Sequence, residues 1–125
     1  MPIPSGDAAR IMVVDDEVDV RETLCEILAE QGYKVSTAAN GEEALRLLLG
    51  GIRLPDLMLL DLRMPGTSGW QVLEYMRTSN LLPRTPVIVI TADMTAVPEG
   101  AALYLRKPVS TSALLQAVKQ QLTTR

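Results

Sequence analysis

Asp15 and Asp16 follow the apolar run Ile11–Val14, Asp61 follows Leu57–Leu60, Thr91 follows Val87–Ile90, and Lys107 lies two residues after Leu103-Tyr104-Leu105. Gathered in one place, three carboxylates, a hydroxyl and an amine could hold a hard cation and move a phosphoryl group. The chain has no histidine and only one cysteine, Cys25. Imidazole is therefore excluded from catalysis and from metal binding. With oxygen ligands alone, the natural ion is Mg²⁺. Singly, each residue has a plainer explanation. Asp15 or Asp16 could cap the helix that follows, Asp61 could be a strand-end carboxylate before the Met64-Pro65-Gly66 turn, Thr91 a β-branched strand end, and Lys107 a solvated amine. Only a shared location makes them a site, and location depends on the elements that carry them.

Those elements alternate. Ile11–Val14 is a β-branched run of strand length. Val20, Leu24, Ile27 and Leu28 then recur at helical spacing and end at Gly32, where a C-terminal glycine belongs. Lys34–Ala38 reads as a weaker edge strand. Asn40 with Glu43 opens a second helix, which carries Ala44, Leu45 and Leu48 on one face and stops at Gly50-Gly51. Leu57–Leu60 is a third strand, and the Ser68/Gln71 pair opens a helix with Val72, Leu73 and Met76 inward. Val87–Ile90 and Leu103–Leu105 are the fourth and fifth strands. Ser110 caps a last helix in which Leu114, Leu115, Val118 and Leu122 face the core. Strands apolar on both faces and alternating with helices imply an α/β fold, with a parallel sheet covered on each side. Right-handed crossovers leave the flavodoxin-like, doubly wound order 2-1-3-4-5 as the natural arrangement of five strands. Residues 1–9 read as a flexible tail and 10–125 as a single domain.

In that order, the C-terminal strand ends share one edge, and a crevice forms where the chain reverses between the first and third strands. Asp15, Asp16 and Asp61 converge there. A like-charged pair 4 Å apart costs on the order of 4 kcal/mol at an effective dielectric of 20. The cluster therefore calls for a cation, a shared proton or a lysine. Mg²⁺, Lys107 and the Thr91 hydroxyl around a carboxylate make a phosphoryl-transfer site.

Four segments now carry a resemblance: Ile11-Met12-Val13-Val14-Asp15-Asp16-Glu17, Leu57 through Gly66, Val89-Ile90-Thr91-Ala92, and Tyr104-Leu105-Arg106-Lys107-Pro108. Together and in this order, they resemble the CheY-like receiver domains of bacterial response regulators, from Arg10 to about Leu122. The resemblance implies that Asp61 takes a phosphoryl group from the phosphohistidine of a sensor histidine kinase or phosphotransfer protein. It implies that Asp15, Asp16, Asp61 and the backbone carbonyl of Arg63 hold Mg²⁺. Lys107, followed by a cis bond to Pro108, would contact a phosphoryl oxygen. Thr91 would move toward that group, with Tyr104 following inward as a two-state switch onto a downstream output domain or protein. Arg63 and Asp93 match variable positions flanking the attacking water, and are expected to pair across the mouth and slow loss of the phosphoryl group. No enzymatic action on a separate substrate is expected, only self-phosphorylation and dephosphorylation.

The segment from Ala92 to Ala102 departs from that pattern. It is short and holds Pro98 and Gly100, so the family's fourth helix is expected to be truncated or missing. The sheet near the fourth and fifth strands would then be thinly covered. Val109 stands where the family often has an aromatic. The altered face puts the usual dimer in doubt and leaves open a homodimer through a non-standard surface. It also gives the competing reading, a pseudo-receiver that signals without phosphorylation. A net charge of −3 favours neither nucleic acid nor an anionic membrane. No G-x-x-x-x-G-K or G-x-G-x-x-G loop is present, and an aspartate-nucleophile phosphohydrolase would need a cap that these residues do not supply. Without a run of 18 apolar residues or a secretory leader, a cytoplasmic setting is expected.

Overall fold

A computed structural model describes residues 8–51, 53–64 and 66–123. The expected tail therefore lies outside the described residues except for Ala8 and Ala9, as does Pro65 of the turn after the third strand. The elements run β1 (Arg10–Val14), α1 (Val18–Glu30), β2 (Lys34–Ala38), α2 (Gly41–Gly50), β3 (Leu57–Asp61), α3 (Gly69–Thr78), β4 (Val87–Thr91), β5 (Leu103–Arg106) and α4 (Thr111–Thr123). All four strand pairings are parallel, and the sheet order is β2-β1-β3-β4-β5.

Period-two alternation sends each central strand's side chains into two cores. Met12, Val14, Met58, Leu60, Val87 and Val89 meet Ala44 and Leu48 of α2 and Val72, Leu73 and Met76 of α3. Ile11, Val13, Leu57, Leu59, Ile88 and Ile90 meet Leu28 of α1 and Leu114, Ala117 and Val118 of α4. Every residue of β3 and β4 is buried, whereas β2 keeps only Ala38 fully inside, as an edge strand should. Local chemistry sets the helix starts. Asn40 Oδ1 accepts from the Glu43 amide at 2.8 Å, while Glu43 reaches back to the Ala39 amide at 2.7 Å. Ser68 and Gln71 close a reciprocal capping box, and Ser110 Oγ accepts from the Ala113 amide at 3.1 Å.

Between β4 and β5, residues 92–102 form turns and bends but no helix. Pro98 lacks an amide for helical bonding, and Gly100 sits at φ +109°, outside helical space. The sheet beneath is better covered than the missing helix suggests. Leu81 and Leu82 beyond α3, with Val97 and Ala101 of the connection, pack onto the α2/α3-side core. Thin cover is confined to β5, whose Leu103, Tyr104 and Leu105 are half-buried. No helix among the described residues is long and apolar enough to cross a membrane.

Candidate functional site

Val14 and Leu60 are register partners on β1 and β3, so the residues that follow them emerge side by side at the switch point. Asp15 and Asp61 are 3% and 6% exposed, while Asp16 is solvent-facing. One oxygen from each of the three lies within 4.8 Å of the others. Neither Asp15 nor Asp16 caps α1: the N-cap is Glu17, without a side-chain cap bond. Instead, Asp15 Oδ1 accepts from the Glu17 amide at 2.9 Å, its own amide donates to the Ala38 carbonyl at 3.2 Å, and Arg21 donates to its carbonyl at 2.8 Å. The Asp15 backbone and carboxylate are thereby aimed by the loop and helix that follow. Asp61 Oδ1 accepts from the Arg63 amide at 3.2 Å, so the carboxylate is held by the loop that carries Arg63.

Lys107 reaches this cluster from the far strand. Its amide donates to the Thr91 carbonyl at 2.9 Å, and its bond to Pro108 is cis. Its Nζ lies 3.4 Å from Asp15 Oδ2 and 3.6 Å from Asp61 Oδ2. Burial raises the Asp61 carboxyl above its ordinary range; the Asp15 and Asp16 charges add to this, against Lys107 and the Arg63 amide. Burial alone would lower the Lys107 ammonium, but Asp61 and Asp15 outweigh it and the net shift is upward. One ammonium faces three carboxylates, so negative charge remains in excess. The donors are all oxygen, and Asp16 opens the cluster to solvent. This set fits a hard divalent ion such as Mg²⁺.

Thr91 is buried at the end of β4, with its Oγ1 3.3 Å from the Asp93 amide and 3.5 Å from the Asp93 carbonyl. Arg63 and Asp93 meet across the mouth at 3.2 Å, with both side chains substantially exposed. The Thr95 hydroxyl and amide, and then Arg63, hold the Asp93 carboxyl below its ordinary range. Tyr104 is half-buried on the α2/α3 side, and its hydroxyl donates to the Pro98 carbonyl.

Three contributors were given no role from the sequence. Glu17 and Arg21 fix Asp15 through backbone contacts that no side-chain motif announces. Gly69 could have been suspected, because glycine is a poor first residue for a helix and here directly follows its cap. A Cβ on Gly69 would stand 2.3 Å from the Asp61 carbonyl oxygen and 2.7 Å from the Leu62 Cα, so α3 starts directly against the end of β3. Gly69→Ala is expected to cost about 2 kcal/mol through overpacking. It should also displace the Asp61 carboxylate from Lys107, because the β3–α3 loop must shift. Urea denaturation reads the loss, and a wild-type midpoint would refute the close-approach role.

Residues 11–119 match the family described as the response regulator receiver domain. The transcriptional regulatory protein DltR of Streptococcus agalactiae is 35% identical over 116 residues, covering 88% of this chain and 50% of that protein. The phosphate regulon transcriptional regulatory protein PhoB of Escherichia coli is 32% identical over 118 residues, covering 90% and 51%. The chain thus spans about half the length of these regulators. Among solved structures, the Thermotoga maritima response regulator TrrA, determined in complex with Mg²⁺ and BeF, superimposes with a TM-score of 0.81 at 38% identity, covering 91% of this chain and 99% of that one. A receiver domain protein from Clostridium thermocellum gives 0.82 at 30% identity, covering 93% and 95%.

Proposed function

The chain belongs to the response regulator receiver domain family, and from that premise we propose that it is a phosphoacceptor of a two-component phosphorelay, modified on Asp61. The observation that carries this reading is the joint placement of Asp15, Asp16 and Asp61 with Lys107 Nζ 3.6 Å from the Asp61 carboxylate. Asp15, Asp16 and Asp61, with the Arg63 carbonyl, would hold Mg²⁺, which when bound offsets carboxylate repulsion and neutralises charge on phosphoryl oxygens.

The remaining chemistry belongs to the chain. An Asp61 carboxylate oxygen attacks the phosphorus of a phosphohistidine on a sensor kinase or phosphotransfer protein. The P–O bond forms as the P–N bond breaks, and the electron pair leaves with the imidazole nitrogen. The product is an acyl phosphate. Lys107 donates to one phosphoryl oxygen from a position set before the group arrives, and the Thr91 hydroxyl turns from Asp93 to donate to another. Hydrolysis returns the carboxylate and inorganic phosphate, so the domain catalyses only its own modification and its reversal. Relatives that are transcriptional regulators of about twice this length support an attached or partner output module. Thr91 and Tyr104 would relay the modified state to it. The test is incubation with Mg²⁺ and acetyl phosphate: intact mass should rise by one phosphoryl group, and no rise sinks the proposal.

The Arg63–Asp93 pair over the mouth is proposed to obstruct the water that would attack phosphorus from outside. As an exposed pair it adds little to stability, so its effect should be kinetic. Replacing both residues with alanine should shorten the phosphorylated lifetime several-fold without changing the melting midpoint; an unaltered lifetime disposes of the idea. The absent helix between β4 and β5 favours a second reading, a pseudo-receiver that signals through its altered face alone or as a homodimer. That reading predicts no mass gain.

A further inference from the structure

We propose that the sheet edge opposite Asp61 carries a second site, a basic pocket of Arg10, Lys34 and Arg53 that binds the phosphate group of a small ligand. This site stands apart from the reading of Asp61, because it needs neither Mg²⁺ nor modification.

Two of its cations are placed by the strand register. Arg10 opens β1 and Lys34 opens β2, and the two are partners in the parallel ladder. Met12, two residues after Arg10, packs with Ala44 and Leu48 of α2. Alternation therefore turns Arg10 and Lys34 toward that same face. Like charges directly opposite one another on a sheet face are destabilising. The third cation, Arg53, comes from the connection between α2 and β3. With Ser36, these three line a pocket of about 210 Å³ beside Met12 and Leu47. No carboxylate among the described residues lines it, although the chain as a whole carries a net charge of −3. Positive charge is concentrated here against the overall sign.

Asp56, the carboxylate in the adjoining hollow beside Arg53 and Arg84, is held by the backbone. Its Oδ2 accepts from the Arg10 amide at 2.8 Å and stands 4.0 Å from Arg53 Nη2. The Arg10 side chain supplies an independent sign of a ligand. Its Nε is buried and has no hydrogen-bond partner among the described residues, and a buried donor left unmade is costly. The C-terminal end of α2 carries no basic residue in its last turn and brings partial negative charge, yet Nε remains unpaired. An anion seated among the three cations answers both the repulsion and the orphaned donor.

The donor set selects the anion. Two guanidinium groups, an ammonium and a hydroxyl suit an oxyanion with several oxygens, because each guanidinium can pair bidentately with phosphate. Three cations favour a phosphate dianion over a single carboxylate. Pockets for drug-sized ligands run to about 300–1,000 Å³, so this one takes a phosphate whole, and the remainder of a monoester stays in its mouth.

The test titrates the full chain in EDTA with inorganic phosphate and with AMP, against chloride at matched ionic strength. Thermal midpoints and backbone amide NMR shifts are followed together. Dissociation constants below about 1 mM are expected, with saturable shifts at Lys34, Val35 and Ser36 and unmoved amides at Thr91 and Lys107. Lys34→Gln and Arg53→Gln, both at exposed positions, should each weaken binding about tenfold. Without phosphate, Lys34→Gln should melt no lower than wild type, since the opposed charges are relieved. Tighter binding of AMP identifies a monoester as the ligand and tighter binding of phosphate the free ion; either sustains the site. Shifts no larger than those in chloride, shifts confined to Thr91 and Lys107, or unaltered affinity in both variants overturn it. A lower midpoint in Lys34→Gln, with no effect of phosphate on either protein, would make these cations structural partners of α2 and overturn it too. Dimerisation lost in the variants, with no phosphate bound, would assign the pocket to carboxylates of a second copy, and the ligand proposal would fall.

Discussion

Asp61→Asn is expected to take up no phosphoryl group from acetyl phosphate and Mg²⁺ under conditions that modify the wild type fully. The amide keeps the shape of the side chain but offers no anionic oxygen to form the P–O bond, so the expected effect is abolition rather than slowing. The same substitution should stabilise the metal-free protein. Burial and the neighbouring aspartates raise the folded-state Asp61 carboxyl above its ordinary 3.8. A raised carboxyl favours the folded state most below 3.8, where it is protonated in both states, and that advantage is lost as pH rises through the folded value. At pH 7 the wild type therefore carries the full cost of an ionised Asp61, and asparagine removes it. The stability gap between the two proteins should close as pH falls toward 3.8. Urea midpoints in EDTA at several pH values check this. A variant that is less stable than wild type at pH 7 would overturn the repulsion argument, and a mass gain in the folded variant would remove the assignment of Asp61 as nucleophile.

The polar strand ends were legible because a parallel sheet turns one-dimensional spacing into a shared edge. Once Ile11–Val14, Leu57–Leu60 and Val87–Ile90 are strands, the positions of Asp15, Asp61 and Thr91 follow from β1, β3 and β4 lying adjacent. The loss of a helix between β4 and β5 was also local, since Pro98 and Gly100 act on their own backbone. Less legible were contacts made by backbone atoms of distant segments. Gly69 against the Asp61 carbonyl and the Tyr104 hydroxyl on Pro98 depend on how loops cross, and neither side-chain type nor period encodes that. The expected thin cover over β4 shows the same limit: an absent helix was read as absent cover. Leu81, Leu82, Val97 and Ala101, which belong to no regular element, supply it.

Lys107→Met should separate the two duties of the carboxylate cluster, with the larger effect on chemistry. Methionine retains most of the apolar stem but removes the ammonium that stands 3.4 and 3.6 Å from Asp15 and Asp61. Without metal, two buried carboxylates and Asp16 then lose the cation that contacts the carboxylate oxygens of Asp15 and Asp61. Breaking a fully buried pair costs roughly 3–5 kcal/mol. Lys107 is 25% exposed, so solvent screens part of the interaction and a loss of about 2 kcal/mol is expected in EDTA. Mg²⁺ should reverse that loss, because binding to the folded state alone stabilises it by mass action. It should also bind the variant about tenfold more tightly, since the competing positive charge has gone. Phosphorylation should nonetheless fall about a hundredfold, because a donor to the transferring group is missing even when the metal site is saturated. Urea midpoints titrated with Mg²⁺, and phosphorylation rates at saturating Mg²⁺, measure the two effects independently. Tighter metal binding combined with slower chemistry can arise only if the lysine acts on the phosphoryl group as well as on the carboxylates. Equal falls in metal affinity and rate would reduce Lys107 to a structural counter-ion.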